Sequence, residues 1–196
     1  MSVSAKEVNE LRKATGAGMM DCKKALVESN GDFDAAVEIL RKKGQKVAAK
    51  RADKESSEGA VFVSTNADSS EGFMFALNCE TDFVAKNDEY IKLSESIINA
   101  VASEKPANVE GIMSLSVGGR SVSDHITDMI GKIGEKVEIS AYEHVKGDRV
   151  VPYIHLGNKL GVLVAMKNVG GTSVEDAAKD VAMQIAAMNP VALDKD

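Results

Sequence analysis

The sequence predicts an α+β protein: an N-terminal bundle of three helices followed by a duplicated core of strands and helices. Three observations predict it. Apolar residues recur at helical spacing through the first forty or so positions, strand-like runs begin at Ala60, and one strand-then-helix pattern occurs twice. With 196 residues, 44% of them hydrophobic, the chain supports one sizeable core or two small domains. Aromatics are only 4% and tryptophan is absent, so Ala, Val, Ile, Leu and Met must fill that core.

Taken in order, Ser4-Ala-Lys-Glu7 is a capping-box pattern, and Val8 and Leu11 follow at helical spacing. Gly16 and Gly18 break this first helix. A second carries Met19, Cys22, Ala25 and Leu26 on one face and stops at Asn30-Gly31. Asp32 is placed to cap a third, in which Phe33, Ala36, Val37 and Leu40 share a face and Gly44 is the expected stop. A bundle of this size leaves little room for an active-site cleft and suits partner binding. From Arg41 to Lys54 seven basic residues face one acid, Asp53. With no aromatic interleaved to stack on bases, the run reads as a solvated helix end and linker rather than an RNA-contacting stripe. Glu55-Ser-Ser-Glu-Gly59 completes the linker. The expected domains are therefore 1–54 and 55–196, the latter in halves of about 55–147 and 148–196.

Beyond Gly59 the expected elements are two strands, Ala60–Ser64 and Gly72–Leu77, joined by a polar turn from Asn66 to Glu71. A helix from about Asp88 carries Ile91, Leu93, Ile97, Ile98 and Val101 and stops at Pro106. Residues 107–119 read as a loop with a short helical piece. Ser121 or Ser123 caps a helix bearing Ile126, Met129, Ile130 and Ile133, and Val137–Val145 alternates as a half-exposed strand. A hairpin, Val150–Ile154 with Leu160–Met166, leads to a last helix from about Ser173 to Met188.

The repeat is visible in residues. Gly72-Phe-Met-Phe-Ala-Leu77 matches Gly161-Val-Leu-Val-Ala-Met166 at an offset of 89, whereas Ile97, Val101 and Pro106 match Val181, Ile185 and Pro190 at 84. The first copy thus carries five extra residues, expected between its strand and helix, in the stretch Asn78–Asn87. A core helix and strand follow the first copy, but only six residues follow Pro190, which reads as a fragment of a longer pattern. Phe83, beside Asp82, is either the first core residue of a helix or a displayed probe. An insertion confined to one copy favours display, because packing does not require it.

Several functions are argued against. A formal charge of −6 and a pI near 5.2 do not suit a general nucleic-acid binder. No stretch approaches the roughly 18 apolar residues of a membrane span. The N-terminus lacks an apolar signal core, so a cytosolic protein is expected. No GxxxxGK[ST] loop is present to hold a nucleotide. Cys22 and Cys79 lie in apolar-patterned segments as buried free thiols. They offer no paired zinc ligands, and the spacing of Cys79 from His125, His144 and His155 suggests no shared nucleophile site. No cofactor is expected.

Two stretches go further. Leu11-Arg-Lys-Ala-Thr-Gly-Ala-Gly-Met-Met-Asp-Cys-Lys-Lys-Ala-Leu26 and Asn78-Cys-Glu-Thr-Asp-Phe-Val-Ala-Lys-Asn87 closely resemble the two signature motifs of bacterial elongation factor Ts, in that family's order. The resemblance covers essentially the whole chain. It implies a bundle similar to ubiquitin-associated (UBA) domains, and a duplicated α+β core of antiparallel sheets with helices on one face. It implies, further, guanine-nucleotide exchange on elongation factor Tu in translation elongation, by binding alone and without covalent chemistry. Both the GDP-bound and the nucleotide-free partner would be bound. The segment Thr81-Asp82-Phe83-Val84 would dislodge the Mg²⁺ that supports GDP on the partner, with Phe83 as wedge, Asp82 fixing it, and Thr81 and Val84 holding the loop. Arg12, Met19, Met20 and Lys23 resemble the family's other docking surface, although Met19 and Met20 also fit plain bundle core. His155 reads either as a further partner contact or as an exposed turn histidine. Family members continue past the position of Asp196, with a dimerising helical hairpin, so a homodimer is expected only of a longer chain. Without the resemblance, the competing reading is a non-catalytic adaptor whose helical bundle holds a peptide or ubiquitin-like partner.

Overall fold

The computed structural model describes residues 3–190, which fall into two compact units. One takes in the chain up to Glu55 together with Ser123–Val137; the other takes in Ser56–Val122 and the chain from Glu138 onward.

In the first unit, α1 (Ala5–Thr15) opens on the capping box read from the sequence. Ser4 accepts from the Glu7 amide, and the Glu7 carboxylate accepts from the Ser4 amide at 2.7 Å. Gly16, at φ 67°, ends the helix in the left-handed region that glycine adopts without strain. Then come α2 (Met19–Glu28) and α3 (Phe33–Arg51), the latter capped by Asp32, which accepts from the Ala35 amide at 2.9 Å. Val8, Leu11, Cys22, Ala25, Leu26 and Ala36 form the buried core of this bundle. Phe33, expected on the core face, is exposed instead, because Ala36 alone of its helical stripe is fully buried.

Gly44 does not stop α3. It is buried in mid-helix and faces α7 (Val122–Ile133). A Cβ on Gly131 of α7 would lie 2.6 Å from the Gly44 Cα, and one on Gly44 would lie 3.1 Å from the Thr127 carbonyl oxygen. The two glycines therefore let two helix backbones touch, which a side chain at Gly131 would prevent and one at Gly44 would crowd. The Arg51 guanidinium donates to the Gly134 carbonyl at 2.7 Å and ties down the end of the same pair. These contacts explain why residues 123–137, written with the core on sequence grounds, are compact with the N-terminal helices.

The second unit carries β1 (Glu58–Thr65), β2 (Glu71–Cys79), α4 (Asp82–Ala85), α5 (Asp88–Glu104), α6 (Val109–Ser114), the short hairpin β3 (Ser116–Val117) and β4 (Arg120–Ser121), β5 (Val137–Lys146), β6 (Arg149–Ile154), β7 (Gly161–Met166) and α8 (Glu175–Met188). The three-stranded sheet has the order β1-β2-β5, and β1 pairs antiparallel with β2 from Glu58↔Cys79 to Thr65↔Gly72. Alternate β2 residues Phe73, Phe75, Leu77 and Cys79 are fully buried. Helix α5 packs on β1 and β2 and buries Tyr90, Ile97, Ile98 and Val101. β6 pairs antiparallel with β7, and α8 packs on both. The hairpin-plus-helix unit thus occurs twice.

The five extra residues of the first copy are present, but they do not lengthen the connection. The connection between β2 and α5, residues 80–87, equals in length the connection between β7 and α8, residues 167–174. The surplus residues of the first copy lengthen β2 through Asn78 and Cys79 and supply the first turn of α5. What distinguishes the first copy is that its connection folds into a helical turn, α4. The residues after Pro190, on which the fragment reading turned, lie outside the described residues.

Candidate functional site

The junction begins at Cys79, the last residue of β2 and fully buried, whose thiol donates to the Thr81 carbonyl at 3.2 Å. Thr81 is the extended residue before α4, at φ −130° and ψ 153°. The turn then closes: the Lys86 amide donates to the Asp82 carbonyl at 3.1 Å and the Asn87 amide to the Val84 carbonyl at 3.0 Å. Asn87 next caps α5 by accepting from the Glu89 amide at 2.8 Å. Every residue from Cys79 to Asn87 thus lies within a few positions of a hydrogen-bonded anchor.

Two anchors behind the junction hold it to the sheet. The Asn78 side-chain amide donates to the Ser56 carbonyl at 2.8 Å and accepts from the Ser140 hydroxyl at 2.6 Å, tying the end of β2 to β5 and to the segment leading into β1. The Tyr90 hydroxyl donates to the Leu77 carbonyl across the start of α5. Burial pushes the Tyr90 phenol well above its ordinary value, so it stays a neutral donor.

On this rigid base Val84 points inward and is buried, while Phe83 is 82% exposed. The core reading of Phe83 is therefore overturned by the fold. A phenyl ring presented to water on a braced turn gains nothing from hydrophobic burial within the chain. Asp82 pairs with Lys86 at 2.6 Å, and this hydrogen bond holds its carboxyl below the usual carboxylate range. Lys159 adds to that effect and pairs with Glu58 at 2.6 Å. The turn is thus flanked by an alternating set of charges from α4, β1 and the β6–β7 turn.

His155 lies at the start of that turn, exposed, with its Nδ1 2.9 Å from the Tyr153 hydroxyl. The turn is held to β1, since the Val61 amide donates to the Asn158 carbonyl at 2.7 Å. At its tip Leu156 is 95% exposed. Sequence reasoning passed over Leu156, Lys86 and Lys159. Lys86 was legible as the i+4 partner of Asp82; Leu156 carried no signal, because a lone leucine beside a glycine reads as ordinary turn.

In the other unit, Arg12 ends α1, and Met19, Met20 and Lys23 open α2. All four are exposed, the methionines at 56% and 61%, so the bundle-core reading of Met19 and Met20 is overturned. The face expected to include Met19 starts instead at Cys22. Cys22 and Cys79 are free and buried. Among the described residues no cluster of three His, Cys, Asp or Glu could hold a metal, and no helix is long and apolar enough to cross a membrane.

A family model described as elongation factor TS matches residues 80–196. Among curated relatives, the elongation factor Ts of Amoebophilus asiaticus is 51% identical over 196 residues, covering 100% of this chain and 71% of its own length. That of Cytophaga hutchinsonii is 55% identical, with 100% and 70% covered. That of Christiangramia forsetii is 54% identical, with 99% and 70% covered. The chain belongs to the elongation factor Ts family. Within the second unit the structure groups Thr81, Asp82, Phe83 and Val84 on one turn; Arg12, Met19, Met20 and Lys23 group around the α1–α2 turn of the first.

Proposed function

We propose that the chain is a guanine-nucleotide exchange factor for elongation factor Tu in the cytoplasm. The observation that carries this reading is Phe83, an aromatic ring standing almost fully in water on a turn whose neighbours are buried or hydrogen-bonded. A pre-ordered aromatic anchor loses little conformational entropy on insertion into a partner, and such anchors dominate interface energetics. The partner holds GDP largely through its phosphates and a Mg²⁺ that requires near-ideal octahedral geometry. A wedge that displaces the supports of that ion by a small distance weakens GDP strongly. Phe83 is the wedge, Asp82 its polar fixture, and Thr81 and Val84 secure the turn. Arg12, Met19, Met20 and Lys23 supply a second contact surface, and His155 a third.

No covalent step is needed. If the factor binds nucleotide-free partner more tightly than the GDP form, GDP binds the complex more weakly by the same ratio. GTP then displaces the factor, which returns unchanged.

The test is release of fluorescent GDP from elongation factor Tu in excess Mg²⁺, with the chain and with Phe83→Ala. Faster release with the chain, and a large loss with the variant while binding persists, is the expected result. Equal activity of chain and variant would remove Phe83 from the mechanism. No acceleration by the folded parent chain would remove the exchange reading itself.

A further inference from the structure

The basic run on α3 is not used by the exchange reading. The structure places part of it along a groove between α2 and α3, of about 350 Å³. Its floor is aliphatic: Ala25 from α2, Ile39 and Leu40 from α3. Its rim is basic, with Lys24 on α2 and Lys42, Lys43 and Lys46 on α3. Lys43 is answered by Asp21 at 2.5 Å and Lys42 by Glu38 at 3.8 Å. Lys24 and Lys46 make no ion pair among the described residues. A concave apolar floor under lysines with spare charge stands out in a chain whose net charge is −6.

We propose that the α2–α3 groove docks an acidic peptide segment carrying an aliphatic anchor. The floor accepts one or two aliphatic side chains, since its volume lies at the small end of ligand-sized pockets. Charge complementarity supplies orientation: carboxylates flanking the anchor meet Lys24 and Lys46 across the groove. One feature favours a peptide over RNA: no aromatic or arginine side chain lines the groove to stack on a base, while its aliphatic floor suits an aliphatic side chain. The site is separate from Arg12, Met19, Met20 and Lys23, none of which lines it, and stands whether or not the exchange reading holds.

The experiment uses the whole chain and a fluorescein-labelled helical peptide with two leucines four positions apart among glutamates, followed by anisotropy. The expected result is saturable binding that weakens about tenfold when the leucines become serine, and about tenfold for Lys24→Glu with Lys46→Glu. Raising salt from about 50 to 200 mM should weaken it further. Far-UV circular dichroism checks that the exposed double variant keeps its helices. No binding up to about 1 mM peptide, or binding indifferent to the lysines, overturns the proposal. So does a mixed-sequence RNA that binds more tightly with the same lysine dependence, and so does a self-associating chain whose dimer is lost in the double variant.

Discussion

Phe83 and Val84 are neighbours on one helical turn and face opposite ways, the first almost wholly in water and the second in the core. The relationship separates two roles that a motif alone confounds. Phe83→Ala removes no internal packing, so unfolding free energy should stay within about 0.5 kcal/mol of the parent. Val84→Ala removes two buried methylene-sized groups and should cost about 1–2 kcal/mol. Exchange on elongation factor Tu should follow the reverse order, with the larger loss at Phe83. Urea unfolding and GDP release on the same three proteins decide it. A Phe83→Ala variant that loses stability as Val84→Ala does would mean that the ring packs in solution.

The glycines of α3 and α7 reverse an ordinary expectation. In a solvated helix, Gly→Ala stabilises by about 0.5–1 kcal/mol, because alanine restricts the unfolded chain and suits the helix. At Gly131 the new Cβ meets the Gly44 Cα at 2.6 Å, and backbone cannot rotate aside. Gly131→Ala should therefore destabilise by about 1–3 kcal/mol, as overpacking does. Thermal unfolding gives the sign directly. A raised Tm would show that the two helices do not touch.

Glu71 should carry part of the acid sensitivity of the second unit. Its carboxylate accepts from Lys105 at 2.8 Å and sits 2.8 Å from His144 Nε2, with Lys146 at 3.6 Å. Hydrogen bonds from Lys105 and then His144 hold it down to about 2 from 4.5. The folded value lies below the unfolded one, so the stabilisation is present above pH 4.5 and lost as pH falls toward about 2. Glu71→Gln should be less stable than the parent at neutral pH and should show a shallower loss of stability between those limits. Acid titrations of both proteins that run parallel would remove Glu71 from the acid response.

Much of the fold was legible because its local signals are self-contained. The Ser4–Glu7 box and the Asp32 cap are readable from side chains three residues apart. The strand β2 was readable as a continuous apolar run, although which of its faces is buried was not. The failures have separate physical causes, and one is a contact with a distant element. Gly44 reads as a helix stop until Gly131, far along the chain, explains it as a place of backbone contact. The turn α4 is too short for any periodicity, so the motif was found while its helical form was not. The repeat was real, but gaps in a divergent alignment do not say whether surplus residues lengthen a loop or a strand. At the candidate site the identity of Phe83 was legible and its exposure was not, since a phenylalanine next to a valine is compatible with burial of either.

Tyr90 tests whether the turn must be braced in order to act. Its hydroxyl donates to the Leu77 carbonyl, one residue before the stretch that ends in Phe83, and its ring lies 6.4 Å from that of Phe62. Tyr90→Phe keeps the ring and leaves the buried Leu77 carbonyl without that donor, which should cost about 1–2 kcal/mol. In a chain of this size the cost appears as a fall in Tm of about 2–4 °C per kcal/mol. With a typical domain stability of about 5–15 kcal/mol, the variant remains almost wholly folded at 25 °C. Loss of exchange activity there cannot then come from unfolded protein. It would come from a wedge held less firmly, and should appear as slower GDP release at saturating factor rather than as weaker binding. A variant with lowered Tm and parental release rate would show that Tyr90 serves the core alone, and that Cys79 and Asn78 suffice to hold the turn.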